Sequence, residues 1–307
     1  MKKKDLDLLD TATQIRDLDP IEADEVGFTA SCLVNACLPY RNPRAEQLQN
    51  GVWERKNGGY SLWVQGGPKG LPYGSYPRLF TIWATTEAIR SKSRDMNAGN
   101  SFRSFCRALG VNQSGGGRGS RTRLAEQIDR LLSSRLAFRR DMSTIEGGVI
   151  TRGHRKTEFL EIVEGYEEFW QPQSPDQMEL YDWHIILSQK FYDEITEHYV
   201  LLDMRAVHEL KSRPLALDLY QWLAYRNFNM KGNKACPTWS QLAFQFGSQY
   251  GRLRDFRSEM QEALMLVKSV YKSLKAECTE QGMTLYKSPT PVPSTNRVYL
   301  SKVSDAG

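Results

Sequence analysis

The chain has 307 residues, of which 40% are hydrophobic and 25% charged, and it carries a formal net charge of +5. These values are typical of a globular protein long enough for two domains of ordinary size, and no uninterrupted apolar run approaches the roughly 20 residues that span a bilayer. They exclude an integral membrane protein. No apolar stretch of the secretory type follows residue 1, so we expect a cytoplasmic protein.

The charges are distributed unevenly along the chain. Residues 5–25 carry eight acids against one arginine, and residues 158–182 carry eight acids with no Lys or Arg. The segment Arg118–Arg140 has seven arginines against two acids, and Tyr250–Lys275 has six cations against three acids. This pattern indicates either a polyanionic partner or ordinary solvated helix faces.

The N-terminal half is predicted to begin with an acidic tail. A hairpin, three helices and a second hairpin then follow in that order. The first hairpin turns at Asn57-Gly58, a dipeptide that tolerates positive φ angles. The predicted elements are strands within Gly51–Val64, helices Tyr76–Ser93 and Ser101–Leu109, a helix with the apolar stripe Leu124, Ile128, Leu131 and Leu132, and extended segments Leu136–Ile145 and Arg155–Val163.

The C-terminal half is predicted to repeat this order after two strands. Thr238, three residues before Gln241, is the signature of a capping box, and Gly247 ends that short helix. The predicted elements are strands Trp183–Phe191 and Tyr199–Val207, a helix that starts after Ser212, the short helix in TWSQLAFQFG, a long helix Arg252–Lys275, and a hairpin Met283–Lys287 and Asn296–Leu300 with the tip SPTPVPST.

Three helices followed by a β-hairpin are the layout of a winged helix-turn-helix, whose third helix enters the major groove while the wing lies along the backbone or the minor groove. We therefore predict an α+β fold with two tandem winged-helix domains. The predicted limits are an acidic tail at 1–25, an N-terminal domain with an additional β-hairpin at 26–172, and a C-terminal domain at 173–303. No sequence repeat relates the halves, so the recurrence depends on element order alone.

The long helix near the C-terminus has one apolar face and two chemically different flanks. At about 100° per residue, the apolar arc contains Leu253, Phe256, Met260, Ala263, Leu264, Val267, Val270, Tyr271 and Leu274. One flank carries Arg254, Arg257, Gln261, Lys268, Lys272 and Lys275, and the other carries Asp255, Glu259 and Glu262. A helix that faces a groove needs a face without repulsive carboxylates, whereas a solvated helix tends to interleave the two signs.

The predicted DNA contacts follow from this segregation. Recognition helices usually enter the groove by their N-terminal end, and arginine and glutamine can pair bidentately with guanine and adenine. The candidates for base edges are Arg252, Arg254, Arg257, Ser258 and Gln261. Lys268 is a candidate for phosphate or for water alone, and Lys287 and Arg297, which flank the predicted wing tip, are candidates for the backbone.

The run GVNQSGGGRGSRTRL precedes a predicted helix and exposes backbone N–H groups that can hold phosphate. It lacks the lysine followed by Ser or Thr that a P-loop needs after its last glycine, so we expect no nucleotide cofactor. Contact with a DNA phosphate and a flexible loop on a dimerising domain are two interpretations that stay open. The candidates for DNA contact are Arg118, Ser120, Arg121, Thr122 and Arg123.

The titratable residues do not form a recognisable catalytic motif. The four histidines have no pair at a spacing of two or four, and the five scattered cysteines include no Cys-x-x-Cys pair. A DNA-nicking enzyme, which would need a histidine metal motif beside its tyrosine, is therefore disfavoured. We expect no enzymatic activity, no metal and no other cofactor.

Four segments resemble the plasmid-encoded RepA replication initiators and occur in the same order over about Val26–Leu300. They are GLPYGSYPRLFTIWATTEAIRSKSR (Gly70–Arg94), LGVNQSGGGRGSRTRLAEQIDRLLSSR (Leu109–Arg135), ALDLYQWLAYR (Ala216–Arg226) and TWSQLAFQFGSQYGRLRDFR (Thr238–Arg257). The polar stretch Asp95–Asn100 departs from the more apolar segment common in that family.

The resemblance implies binding to directly repeated origin sequences (iterons), distortion of an adjacent AT-rich region, and recruitment of host helicase and DnaA, without ATP. It also implies that dimers repress and monomers initiate. The expected partners are double-stranded origin DNA, those host proteins and a second copy of the chain, with no membrane. The alternative is a winged-helix transcriptional repressor without initiator activity. Two DNA-binding units in one chain favour the initiator, since a repressor more often gains its second half-site by dimerising.

Overall fold

The computed structural model describes residues 19–98, 107, 110–111, 119–141, 144–146, 149–167, 184–247 and 250–293. Within these residues the chain forms eight α-helices and fifteen β-strands. The helices are α1 (Ser31–Asn35), α2 (Ser75–Ser91), α3 (Ser120–Leu132), α4 (Gln189–Glu197), α5 (Met204–Leu210), α6 (Pro214–Asn229), α7 (Trp239–Phe246) and α8 (Leu253–Val270). The strands are β1 (Val26–Ala30), β2 (Leu48–Gln49), β3 (Val52–Asn57), β4 (Tyr60–Gln65), β5 (Asp95–Asn97), β6 (Arg135–Asp141), β7 (Thr144–Glu146), β8 (Val149–Arg152), β9 (Arg155–Leu160), β10 (Val163–Glu167), β11 (His184–Leu187), β12 (Tyr199–Asp203), β13 (Lys234–Ala235), β14 (Lys275–Cys278) and β15 (Met283–Tyr286).

A five-stranded antiparallel sheet in the order β2-β3-β4-β6-β9 forms the centre of the N-terminal half. The predicted hairpin is confirmed: β3 and β4 are joined at Asn57-Gly58, and Gly58 has a φ of +56°. One face of this sheet is buried, as Trp53, Leu62 and Leu136 show. α2 and α3 share its core, and the predicted apolar stripe of α3 is buried throughout.

Several predicted features fall outside the described residues. They are the first 18 residues of the acidic tail, all but residue 107 of the helix Ser101–Leu109, the boundary between residues 172 and 173, and the segment Asn296–Leu300. The limits of the two domains therefore stay predictions.

Two predicted strands are wrong in their second halves. β11 ends at Leu187 and β12 at Asp203, and helices α4 and α5 follow them directly. Side chains cap both helices: Ser188 Oγ accepts from the backbone N–H of Phe191 at 3.2 Å, and Asp203 Oδ1 accepts from that of Arg205 at 3.0 Å. β12 pairs antiparallel with β1, so a strand from the C-terminal half forms a sheet with the first described strand of the N-terminal half.

The C-terminal half contains a winged helix built from α6, α7, α8 and the three-stranded sheet β13-β15-β14. The predicted capping box of α7 is confirmed. Thr238 Oγ1 accepts from the N–H of Gln241 at 3.3 Å, and Gln241 Oε1 accepts from the N–H of Thr238 at 2.9 Å. The mixture of helices and antiparallel sheets confirms the α+β class.

The end of α8 and the wing differ from the prediction. α8 ends at Val270, because Tyr271 leaves the helix with a φ of −123° and its hydroxyl donates to the carbonyl of Pro289 at 2.7 Å. Lys275, predicted as the last residue of this helix, instead begins β14 (Lys275–Cys278), which pairs with β15. The wing turn is thus Thr279–Gly282. The predicted pairing of Met283–Lys287 with Asn296–Leu300 is wrong, because β15 pairs with β13 on one side and with β14 on the other.

A buried ion pair joins the two halves. Arg78 on α2 and Asp218 on α6 make two N···O contacts of 2.8 Å, and their side chains are 4% and 6% exposed. The guanidinium also donates to the carbonyl oxygens of Leu38, Pro39 and Gly74. Burial alone would lower the pKa of Arg78, but the attraction of Asp218 outweighs it and raises this pKa, so the pair stays charged. One continuous apolar core spans both halves.

Candidate nucleic-acid interface

α8 buries one face against α5, α6 and α7 and exposes the opposite face. Six residues of the predicted arc are buried on the helix: Phe256, Met260, Ala263, Leu264, Val267 and Val270. Tyr271 and Leu274 are buried as well, although they lie beyond its end. Leu253 is 40% exposed, contrary to the prediction, because it is the first helical residue and lies at the margin of the packed face.

Three polar residues form an exposed stripe opposite the buried face. Arg254, Ser258 and Gln261 follow one another at i, i+4 and i+7 and are all exposed. The Arg254 side chain is 84% exposed, and its Nε lies 3.8 Å from the carboxylate of Asp255, a contact that contributes little in water. Arg252, the N-cap residue, is exposed too. The hydrogen-bonding groups thus lie at the end of the helix that would enter a groove first.

Two carboxylates of α8 are directed to other parts of the chain. Glu262 lies 3.7 Å from Arg213, and Glu259 accepts from the hydroxyl of Tyr250 at 3.5 Å. Burial, and after it the negative charge of Glu259, raises the pKa of Tyr250 to about 12, so the phenol keeps its proton and donates. Both carboxylates therefore have contacts on the acidic flank of α8, away from Arg254 and Gln261.

Arg257 is held at the junction of α8, α7 and the wing. Its guanidinium carbon lies 5.5 Å from the ring centroid of Trp239, and its buried Nε has no hydrogen-bond partner among the described residues. Trp239 Nε1 in turn donates to the carbonyl of Thr279 in the wing turn at 3.0 Å. The contact with the indole face fixes the orientation of the guanidinium.

The structure brings a cationic row onto the wing that the sequence did not predict. Lys234, Tyr286 and Lys275 are register neighbours across β13, β15 and β14, and all three are exposed. Lys234 Nζ lies 5.5 Å from the ring centroid of Tyr286, whose hydroxyl donates to Glu277 at 3.2 Å. The alternation of polar and apolar residues over Lys275–Cys278 is the strand signal that would have identified this row.

Two of the predicted phosphate contacts lie beside the wing. Lys268 Nζ donates to the carbonyl of Ala276 in β14 at 3.2 Å, which places its ammonium group between α8 and the wing. Lys287 follows the wing row and is exposed, and its backbone N–H donates to the carbonyl of Asn233 at 2.9 Å. Arg297 lies outside the described residues.

The second predicted patch lies at the N-terminus of α3. Its first turn, Ser120–Arg123, contains no acid, and Thr122 and Arg123 are exposed while Ser120 is 9% exposed. The acids of α3 come later and are paired, Asp129 with Lys69 at 2.8 Å and Glu126 with Arg130 at 2.6 Å. The positive end of the helix dipole is therefore not opposed by carboxylates of its own first turn. Arg118 and the side chain of Arg121 lie outside what the structure describes.

The described residues contain no group of three or more His, Cys, Asp or Glu side chains that could hold a metal ion. None of the helices in this part of the chain is long and apolar enough to cross a membrane.

Comparison with known proteins gives one matching family model, and the similar solved structures include two of RctB. The family model described as "Plasmid encoded RepA protein" matches residues 71–241. A crystal structure of domains 2–3 of RctB covers 84% of this chain and 97% of its own, with a TM-score of 0.52 and 12% identity. Another, of selenomethionine derivatives of domains 2 and 3 of RctB, covers 81% and 94% with a TM-score of 0.51 and 10% identity. No curated protein matches the chain.

Proposed function

The chain belongs to the plasmid-encoded RepA family of replication initiators, and from that premise we propose that it initiates plasmid replication by binding repeated origin sequences, or iterons. The observation that carries this proposal is the outward face of α8, with exposed Arg254, Ser258 and Gln261 and with Glu259 and Glu262 directed elsewhere. An outward stripe of arginine, serine and glutamine on the third helix of a winged helix, with the carboxylates of the helix on one flank, suits the major groove of DNA.

In this proposal α8 distinguishes the bases and the wing holds the backbone. Arg254 and Arg257 can each offer a planar fork to guanine O6 and N7, and Gln261 can pair with adenine N6 and N7. Lys234 and Lys275 flank Tyr286 on the wing and are suited to two phosphates of the same duplex. Ser258, Arg252, Lys268 and Lys287 border these contacts.

The N-terminal half supplies a second contact at Ser120–Arg123, where the helix dipole and Arg123 attract a phosphate. Arg118 and Arg121 belong to the same predicted patch. We also assign dimerisation to this half, with a dimer in equilibrium with the monomer. Binding to the iterons then distorts the adjacent AT-rich region and recruits host helicase and DnaA, and the dimer represses the chain's own gene. The protein performs these steps without catalytic activity and without a cofactor.

Footprinting on the origin of the plasmid that encodes the chain tests this proposal. We expect protection at regular intervals, near one helical turn of about 10 base pairs or twice that. Arg254→Ala and Gln261→Ala should lose the protection, because each removes a proposed base contact. Both side chains are exposed, so their removal disturbs no packing. Lys190→Ala on α4 is the matched control, an exposed cation far along the chain from α8. An origin that stays unprotected by the wild type would overturn the proposal.

A transcriptional repressor with the same fold would also give a footprint, so a second measurement separates the two functions. The initiator should sensitise the AT-rich region beside its sites to a reagent specific for unpaired bases, and it should sustain replication of an origin plasmid when supplied in trans. Protection without either effect would favour the repressor.

A further inference from the structure

One residue on the outward face of α8 is chemically unlike its neighbours. Met265 continues the stripe of Arg254, Ser258 and Gln261 at i+11 and is 67% exposed. A single exposed apolar side chain needs no explanation by itself. Met265, however, lies between Gln261 and Lys268 on the exposed stripe, whose other members are polar or cationic, and the exposed Glu262 borders it at i−3.

The major groove offers one apolar group to such a side chain, the C5-methyl group of thymine. Methionine is unbranched and polarizable, so it adapts to a small apolar surface, and it carries no hydrogen-bond donor that could pair with a base edge. At 1.5 Å per residue, Met265 lies about 6 Å along the helix axis from Gln261. That is about two steps of 3.4 Å along a DNA strand.

We propose that Met265 packs on the methyl group of a thymine about two base pairs from the base that Gln261 contacts, and that it sets the sequence preference at that position. The inference rests on the proposed function, since it requires α8 in the major groove. DNA is favoured over a protein partner because Lys268 and Arg254 lie on the same face as Met265.

Scanning a duplex with deoxyuridine tests the contact directly. The duplex carries the repeat mapped by footprinting, and each thymine is replaced in turn by deoxyuridine, which removes only the methyl group. We expect wild-type affinity to fall about fourfold at one position, the equivalent of about 0.8 kcal/mol for one buried methyl group at 1.4 kcal/mol per factor of ten. Met265→Ala should bind the thymine and uracil duplexes equally there, and Met265→Leu should keep most of the preference.

Phe228→Ala is the matched control, because Phe228 is 65% exposed but lies on α6. It should reproduce the wild-type profile at every position. A wild type that is insensitive to every uracil, or a Met265→Ala variant that keeps the wild-type profile, would overturn the assignment of Met265 while leaving the function of α8 intact. Failure of the wild type to bind the repeat would instead overturn the proposed function. Loss of binding to host helicase or DnaA, with an unchanged uracil profile, would assign Met265 to a protein partner.

Discussion

Replacing Asp218 by asparagine should strongly destabilise the chain, because it leaves the guanidinium of Arg78 buried beside a neutral amide. Removing one partner of a buried ion pair costs about 3–5 kcal/mol. The side chains here are 4% and 6% exposed and meet through two contacts of 2.8 Å. Three carbonyl oxygens still accept from Arg78 after the substitution, so we expect the lower end, about 3 kcal/mol.

Urea unfolding, followed by circular dichroism and by tryptophan fluorescence, measures this loss of free energy. In thermal unfolding, at about 2–4 °C per kcal/mol, the melting temperature should fall by roughly 6–12 °C. The double substitution Arg78→Met with Asp218→Leu should recover part of the loss, since it removes both charges together but takes the donor from the carbonyl oxygens of Leu38, Pro39 and Gly74. Glu158→Gln is the control, because its pair with Lys156 is 53% and 54% exposed and is worth about 1 kcal/mol or less. The reasoning is refuted if Asp218→Asn costs no more than that control, or if the double variant is less stable than the single one.

Three further predictions concern the wing and Glu194 on α4. Lys234→Ala and Lys275→Ala should each reduce the slope of log K against log salt concentration by about 0.9, as measured by titrations at several salt concentrations, whereas Lys190→Ala should not change it. Gly282→Ala should destabilise the wing by about 1–3 kcal/mol in thermal unfolding, because a Cβ there would overlap the carbonyl oxygen of Pro237 and lie 2.8 Å from Cα of Thr238; Gly232→Ala, with open space around it, is the control. Glu194→Gln should raise the melting temperature near pH 8 and have no effect near pH 4, because burial raises the pKa of Glu194 and the charged form is the one that the native state penalises.

Each of these three expectations has a contradicting result. An unchanged salt slope in both lysine variants would mean that Lys234 and Lys275 do not contact phosphates. A Gly282→Ala protein as stable as Gly232→Ala would mean that the wing turn can move away from Pro237 and Thr238, at the start of α7, without loss of stability. Because the pKa of Glu194 is raised, its contribution to stability is present at low pH and is lost as the pH rises. A Glu194→Gln variant that gains the same stability at pH 4 and pH 8 would refute burial as the cause.

Elements with strong local signals could be predicted from the sequence. Asn57-Gly58 forces a hairpin turn, Thr238 and Gln241 cap α7 reciprocally, and the spacing of Leu124, Ile128 and Leu131 defines one buried face. In each of these elements the residues that specify the structure lie within a few positions of one another, so the pattern and the structure coincide.

The missed elements depend on contacts between distant parts of the chain. α4 and α5 follow closely after apolar strands, and apolar residues recur beyond the caps, Phe191 after Ser188 and Met204, Ala206 and Val207 after Asp203, so the caps were read as strand residues. α8 ends because Tyr271 bonds to Pro289 and Asn227, not because of a glycine or proline. The pairing of β1 with β12 and the ion pair Arg78–Asp218 join residues more than 130 positions apart, for which a single sequence carries no periodic signal.

The site was predicted better on α8 than on the wing. Helical periodicity separated Arg254 and Gln261 from Glu259 and Glu262 correctly, because the geometry of a helix is fixed by its rise and turn. It did not indicate Met265, because an apolar residue on a polar face contributes nothing to a pattern of charges. The wing row was missed because Lys275 was assigned to the helix and Lys234 to no element.

The continuous core has a consequence for how the two proposed DNA contacts in one chain would combine. Units on a flexible linker add their affinities through an effective concentration, whereas units fixed by a buried ion pair and a shared core can bind together only where the DNA matches their geometry. The patch at Ser120–Arg123 should therefore discriminate between DNA shapes. We expect Arg123→Ala to weaken binding to the full origin repeat but not to a short duplex that covers only the bases under α8, as measured by fluorescence anisotropy. Equal weakening on both duplexes would indicate a nonspecific electrostatic contribution, and no weakening on either would leave α8 and the wing as the DNA contacts of the chain.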